Sequence, residues 1–247
     1  MRRISMEAMN PAIEAVHFRS TGALAALPAF LMRHRVSLLF LLFICSAVCA
    51  QLTLNSTLIA RVGKKYGAEA MARVVDWQKL IEKGSSASVD DKLRLANDFF
   101  NRVEFVSDLK HWGKQDYWAT PVETLATDGG DCEDFAIGKY FTLLAMGVPM
   151  ERLRITYVRA YEAPPAEEAH MVLAYYATPE ADPLILDNLD KAIWPASERN
   201  DLVPVYSFNG GGLWLAKERG AGRPAGKADR ISLWNDLMRR MNEEAAK

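Results

Sequence analysis

Gly129-Gly-Asp-Cys-Glu-Asp-Phe-Ala-Ile-Gly-Lys-Tyr-Phe-Thr-Leu-Leu-Ala-Met-Gly147 places one cysteine, Cys132, at the start of a helix and crowds it with three carboxylates, Asp131, Glu133 and Asp134. The helix continues through Ala136, Tyr140, Leu143 and Leu144. It stops at Gly147, where a left-handed C-cap is expected, ahead of Pro149. A thiol at a helix N-terminus meets unpaired backbone N–H groups and the positive end of the helix dipole, both of which favour the nucleophilic thiolate. A lone cysteine elsewhere reads as a small buried hydrophobe; at this position it reads as a nucleophile.

Beyond Gly147 the apolar period changes from helical to alternating. Residues 154–161, 169–177, 184–188 and 203–208 read as four strands separated by Pro-, Glu- and Asp-rich turns. The fold class is therefore α+β, a cysteine-bearing helix packed on an antiparallel sheet. Upstream, 68–83 has helical spacing at Met71, Val74, Val75 and Ile81, and Ser88 opens a second helix with Leu93, Ala96, Phe99, Phe100 and Val103 on its core side. Residues 111–118 are aromatic-rich and read as a covering loop. Residues 217–227 read as a Gly/Pro/Lys/Arg loop before a terminal amphipathic helix built on Ile231, Trp234, Leu237, Met238 and Met241.

The amino terminus argues for export. Arg33-His-Arg35 precedes an apolar run over 36–48, too short to span a membrane, and Val48-Cys-Ala50 offers a signal-peptidase site. Residues 1–50 are thus expected to be an extension plus signal peptide, with Met32 an alternative start, and 51–247 a single exported domain. Cleavage there removes Cys45 and Cys49, so the mature chain keeps Cys132 as its sole cysteine. An unpaired thiol retained in an oxidising compartment implies a use. Residues 1–50 hold five Lys/Arg and two Asp/Glu, so the totals of 30 and 31 fall to 25 and 29. That mild acidity gives no footing for nucleic acid.

The mature chain has two histidines. His111 lies in the aromatic loop; His170 opens the alternating segment His-Met-Val-Leu-Ala-Tyr-Tyr. On the next strand, Leu184-Ile-Leu-Asp187 ends an apolar run in a carboxylate whose burial is costly unless it is paired. An imidazole on the neighbouring strand meets that need. If Asp187 holds one ring nitrogen, the other can face the thiol, and Cys132, His170 and Asp187 take the roles of nucleophile, base and orienter. Three carboxylates beside a thiol oppose its ionisation, and a hard divalent cation, Ca²⁺ in an exterior compartment, would relieve that conflict. Asp131 and Glu133 are the expected ligands, with Asp134 a further candidate. The same acids would equally complement the helix dipole without a metal.

Trp118-Ala-Thr-Pro-Val-Glu-Thr-Leu125, Gly129-Gly-Asp-Cys-Glu-Asp-Phe-Ala136, Lys139-Tyr140, the His170 strand and Leu186-Asp187-Asn188 together resemble the transglutaminase-like, papain-type superfamily, and within it the LapG-type periplasmic cysteine proteases. The resemblance runs from about Trp112 to Trp214, and the long amino-terminal extension departs from it. It implies a transglutaminase/papain-like core, a Cys132–His170–Asp187 triad, and calcium near the site. It also implies cleavage of the amino-terminal region of a large cell-surface adhesin, biofilm release, and restraint by an inner-membrane cyclic-di-GMP receptor. Either Trp118 or Gln115 would complete the oxyanion hole. A transglutaminase, which resolves the same thioester with an amine, and a catalytically silent binding module are the competing readings.

Overall fold

Asn55, Ser88 and Thr120 each end an extended segment with a side-chain oxygen that accepts a backbone N–H three residues on, from Leu58 at 2.7 Å, Asp91 at 3.2 Å and Glu123 at 3.1 Å. Each starts a helix. The computed structural model describes residues 54–161, 168–215 and 223–246. The expected signal segment, Met32, Cys45 and Cys49 lie outside the described residues. In chain order the helices are α1 (Ser56–Tyr66), α2 (Ala68–Ser85), α3 (Val89–Phe100), the short α4 (Asp108–Trp112), α5 (Pro121–Thr127), the cysteine helix α6 (Cys132–Ala145) and α7 (Ser232–Ala246). Among the described residues no helix is long and apolar enough to cross a membrane.

Helix α6 is buried on every side from Asp134 to Leu143: apolar residues occupy most of its surface, and the buried Asp134, Lys139 and Thr142 each have hydrogen-bond partners. On one side it meets α2 and α3. Trp77 donates its indole N–H to Thr142 Oγ1 at 2.8 Å, and the Phe100 ring occupies the space where a Cβ on Gly138 would stand. On the other side it meets the sheet through Leu153, Ile155, Met171, Leu173, Leu186 and Phe208. At its C-terminal end Gly147 takes the expected left-handed conformation, φ 84°.

The strands are β1 (Glu104–Phe105), β2 (Gly129–Gly130), β3 (Leu153–Ala160), β4 (Glu168–Tyr175), β5 (Leu184–Leu186), β6 (Trp194–Pro195), β7 (Leu202–Asn209), β8 (Gly212–Leu215) and β9 (Arg223–Gly226). β1 and β2 form a small parallel pair, and the rest form one antiparallel sheet in the order β6-β5-β4-β3-β7-β8-β9. β4, expected as an alternating half-buried strand, is buried on both faces from His170 onward. Met171, Leu173 and Tyr175 pack in the core with α6, while Val172 and Ala174 join Val158, Tyr176 and Ile185 in a second cluster.

Helix α1, the β1–β2 pair, β6 and β8 have no counterpart in the sequence reading, and three further stretches differ from it. The 217–227 loop contains β9, which pairs Arg223, Pro224 and Gly226 with Leu215, Trp214 and Leu213. An edge strand tolerates Pro and Gly because its outer side owes no ladder hydrogen bond. The aromatic loop begins as helix α4 through Trp112. Helix α5, unanticipated, rests on a complete capping box: Thr120 accepts from Glu123 N, Glu123 Oε2 accepts from Thr120 N at 2.9 Å, and Pro121 occupies the first helical position.

Candidate active site

Gly129 and Gly130 are glycines because two side chains close on them. A Cβ on Gly129 would stand 2.9 Å from His111 Cε1, and one on Gly130 would stand 2.7 Å from Asp134 Oδ2. Asp134 itself is fully buried and braces the start of α6: its Oδ1 accepts from Ala119 N at 2.7 Å and its Oδ2 from Asp131 N at 3.3 Å. The strand pair, the brace and the helix start therefore fix the Cys132 backbone.

Cys132 is half-buried, and its thiol donates to Glu133 Oε2 at 3.1 Å. Burial, then the charge and hydrogen bond of Glu133, then the charge of Asp131 push its pKa far up. The Met171 backbone, adjacent to His170, pulls the other way. The helix start alone favours thiolate, so here burial and the acids together outweigh the dipole. In this arrangement the Cys132 thiol is hydrogen-bonded to Glu133 and not to His170.

The other two predicted residues do meet. His170 and Asp187 are 4% and 1% exposed, and His170 Nε2 donates to Asp187 Oδ1 at 2.7 Å, leaving Nδ1 as the ring's other nitrogen. Asp187 Oδ1 also accepts from Asn188 N at 2.6 Å and Leu189 N at 3.1 Å, and its Oδ2 accepts from Arg199 Nη2 at 2.7 Å. Burial alone would raise the Asp187 pKa. The bond and charge of His170, the Arg199 bond and the loop N–H groups more than reverse this and hold it well below the usual carboxylate range.

Five residues around the site escaped sequence reasoning: Arg199, Asp108, Asp116, Lys139 as a contact of the aspartate, and Asn101. Lys139 Nζ and Asn101 Nδ2 both donate to the Asp187 backbone carbonyl, at 2.9 Å each, tying α6 and α3 to the end of β5. Lys139 stands in the quoted cysteine motif, but nothing in its spacing marks it as buried. Burial pushes its ammonium down to about 7, against the attraction of Asp187 and Asp98. A lysine whose folded pKa is depressed binds its proton less well folded than unfolded. Its contribution to stability therefore climbs as pH rises from about 7 to the ordinary lysine value of 10.5, and it is lost again on acidification through that window. Urea unfolding of the wild-type chain and Lys139→Met at pH 6 and pH 9 is expected to show the difference shifting in favour of wild type at the higher pH.

The acids near Cys132 form a wider cluster than the motif alone suggested. Ligand atoms of Asp108, Asp131 and Asp134 lie within 4.8 Å of one another, as do those of Asp108, Asp116 and Glu133, and those of Asp131, Cys132 and Glu133. Asp131 Oδ1 and Asp108 Oδ1 are buried without a hydrogen-bond partner. Burial and then the charge of Glu133 push Asp131 up to about 8; burial and then the charge of Asp131 push Asp108 up to about 6. Glu133 and Asp134 are raised as well, by burial first. Unsatisfied hard oxygens with uncompensated negative charge are the donor set a divalent cation such as Ca²⁺ requires, and the residues fit one. Of the two oxyanion-hole candidates, Gln115 is exposed, while Trp118 is buried and stacked on Phe208 with ring centroids 5.5 Å apart.

A helix opening on cysteine, laid across an antiparallel sheet whose adjacent strands carry a buried histidine–aspartate pair, defines a transglutaminase-like α+β protein with a thiol at its centre. The chain belongs to the bacterial transglutaminase-like cysteine proteinases (BTLCP), whose family model matches residues 70–203. It is similar to Legionella pneumophila LapG in two states. The EGTA-treated structure is 45% identical, with TM-score 0.66 over 74% of this chain and 95% of that one. The calcium-bound structure is 45% identical, with TM-score 0.64 over 74% and 97%. No curated protein sequence matches the chain.

Proposed function

We propose that this chain is a periplasmic thiol endopeptidase that cuts the amino-terminal region of a large cell-surface adhesin, releasing it and the biofilm it supports, under the control of an inner-membrane cyclic-di-GMP receptor. The observation that carries the enzymatic part is the buried His170–Asp187 pair in a cysteine proteinase whose α6 begins at Cys132. Similarity to LapG supports the choice of substrate and partner, and the expected signal segment supports the location.

In this mechanism the Cys132 side chain leaves Glu133 and turns to His170 Nδ1, which takes the thiol proton. The thiolate attacks the scissile carbonyl carbon, and the Cys132 backbone N–H at the helix start steadies the oxyanion. The imidazolium then protonates the leaving amine as the C–N bond breaks. Neutral again, His170 takes a proton from water, whose hydroxide opens the thioester and returns the thiol. Asp108, Asp131 and Glu133, with Asp134, are the residues that would hold Ca²⁺, which when bound neutralises the acids that disfavour the thiolate.

The test is incubation of the purified protein with candidate adhesin amino-terminal segments, with calcium and with EGTA, followed by mass mapping of fragments. Discrete scission by wild type, its loss in Cys132→Ser and a marked slowing in EGTA are expected. Full scission by Cys132→Ser would end the nucleophile assignment. Incorporation of a labelled amine into a glutamine donor without scission would favour the transglutaminase, and unchanged cleavage in EGTA would reduce the acids to partners of the helix dipole.

A further inference from the structure

Asp187 has two carboxylate oxygens, and they are held differently. Oδ1 takes three N–H bonds, one from the His170 ring and two from its own loop, whereas Oδ2 is held by a single group, Arg199 Nη2. Arg199 is in turn gripped by Asp201, whose Oδ1 and Oδ2 accept from Nε at 2.9 and 3.2 Å and whose Oδ2 accepts from Nη2 at 2.7 Å. The guanidinium is 5% exposed, and its Nη1 is buried with no partner. A buried cation with an unpaired donor is a poor way to gain stability. Its planar fork is, however, well suited to fixing a carboxylate.

We propose that Arg199, anchored by Asp201, is a positioning residue for the His170 imidazole: it locks the Asp187 carboxylate in the rotamer that keeps Nε2–H bonded and so leaves Nδ1 as the nitrogen available to the thiol. Without Arg199, Oδ2 is a buried anionic oxygen with no partner. The carboxylate then gains by rotating toward whatever donors remain, and the ring loses its fixed tautomer and tilt. Lysine at 199 keeps the charge, but as a single point it cannot grip Asp187 and Asp201 in the same plane. This role rests on the reading of His170 as the base.

Alkylation of Cys132 by iodoacetamide tests it without a known substrate, the modified peptide being quantified by mass so that Cys45 and Cys49 do not contribute. His170→Ala is the control, and an unchanged alkylation rate in that variant would remove the underlying triad reading rather than this proposal. With the control behaving, Arg199→Met is expected to slow alkylation about tenfold, the lower end of the loss seen when the partner that orients a metal-bound histidine is removed. It is also expected to abolish the low-field proton NMR resonance of His170 Nε2–H. Arg199→Lys is expected to recover part of both. A folded Arg199→Met protein with wild-type alkylation and an unmoved resonance overturns the proposal. If that variant does not fold, Arg199→Lys takes its place: slowed alkylation with a shifted resonance supports the role, and wild-type behaviour in both overturns it.

Discussion

Replacing Asp187 with asparagine is expected to lower kcat for peptide cleavage by about 10⁴, the loss recorded when the orienting aspartate of a serine protease triad is changed to its amide. The reason lies in the donors around the carboxylate. All four of its hydrogen bonds are accepted ones, three at Oδ1 and one at Oδ2. An amide can satisfy one side only. With its oxygen toward His170, its NH₂ faces the Arg199 guanidinium, donor against donor in a buried site. With its NH₂ toward His170, the ring must present an unprotonated Nε2 and carry its proton on Nδ1, the nitrogen that has to accept the thiol proton. Steady-state kinetics beside thermal unfolding separates the outcomes: a retained fold with kcat within tenfold of wild type would show that Asp187 does not orient the imidazole.

The largest effect on stability is expected at Trp77→Ala, at about 3–5 kcal/mol. Trp77 is fully buried, its ring meets Phe100 edge-on at 6.3 Å, and its indole N–H is bonded to Thr142. Truncation leaves a cavity between α2 and α6 at the turn where Thr142 Oγ1 also donates to Gly138 O at 2.6 Å. Trp77→Phe keeps most of the apolar surface and loses the hydrogen bond, so its cost is expected to be about 1–3 kcal/mol. Urea unfolding of the two variants distinguishes cavity from polar loss; equal costs would mean that the bond to Thr142 dominates. Neither residue touches the thiol, so cleavage by folded Trp77→Phe protein is expected at the wild-type rate.

Local signals in the chain announced much of this architecture. The Ser88 cap, the Gly147 stop, the alternation from 154 to 208 and the apolar spacing of α7 each rest on contacts within a few residues, and each appears in the structure within a residue or two of where the pattern put it. The short edge strands β6 and β9 carry no such signal, because a neighbouring strand makes them what they are. Helix α5 did carry one, the Thr120–Glu123 box with Pro121, hidden behind the reading of proline as the end of a loop.

The candidate-site residues divide in the same way. Cys132 at a helix start and Asp187 at the end of an apolar run are legible from adjacent residues, and burial of Asp187 required a donor, which is how His170 could be paired with it. Arg199 and Asp108 were out of reach. They are ordinary surface types in their own segments, and they become part of the site only because the turn after β6 folds back on β5 and α4 lies against the start of α6.

The amino-acid sequence by itself determined the principal helices and the central strands, and it singled out a cysteine, a histidine and an aspartate as candidates, because those features depend on spacing and on the cost of burying a charge. Only the tertiary structure decided how the charges balance. It gave Asp187 an arginine, left the acids around Cys132 without an ion pair among the described residues, and turned the thiol toward Glu133. Electrostatic energies depend on through-space distance and local burial, and neither is written along a chain.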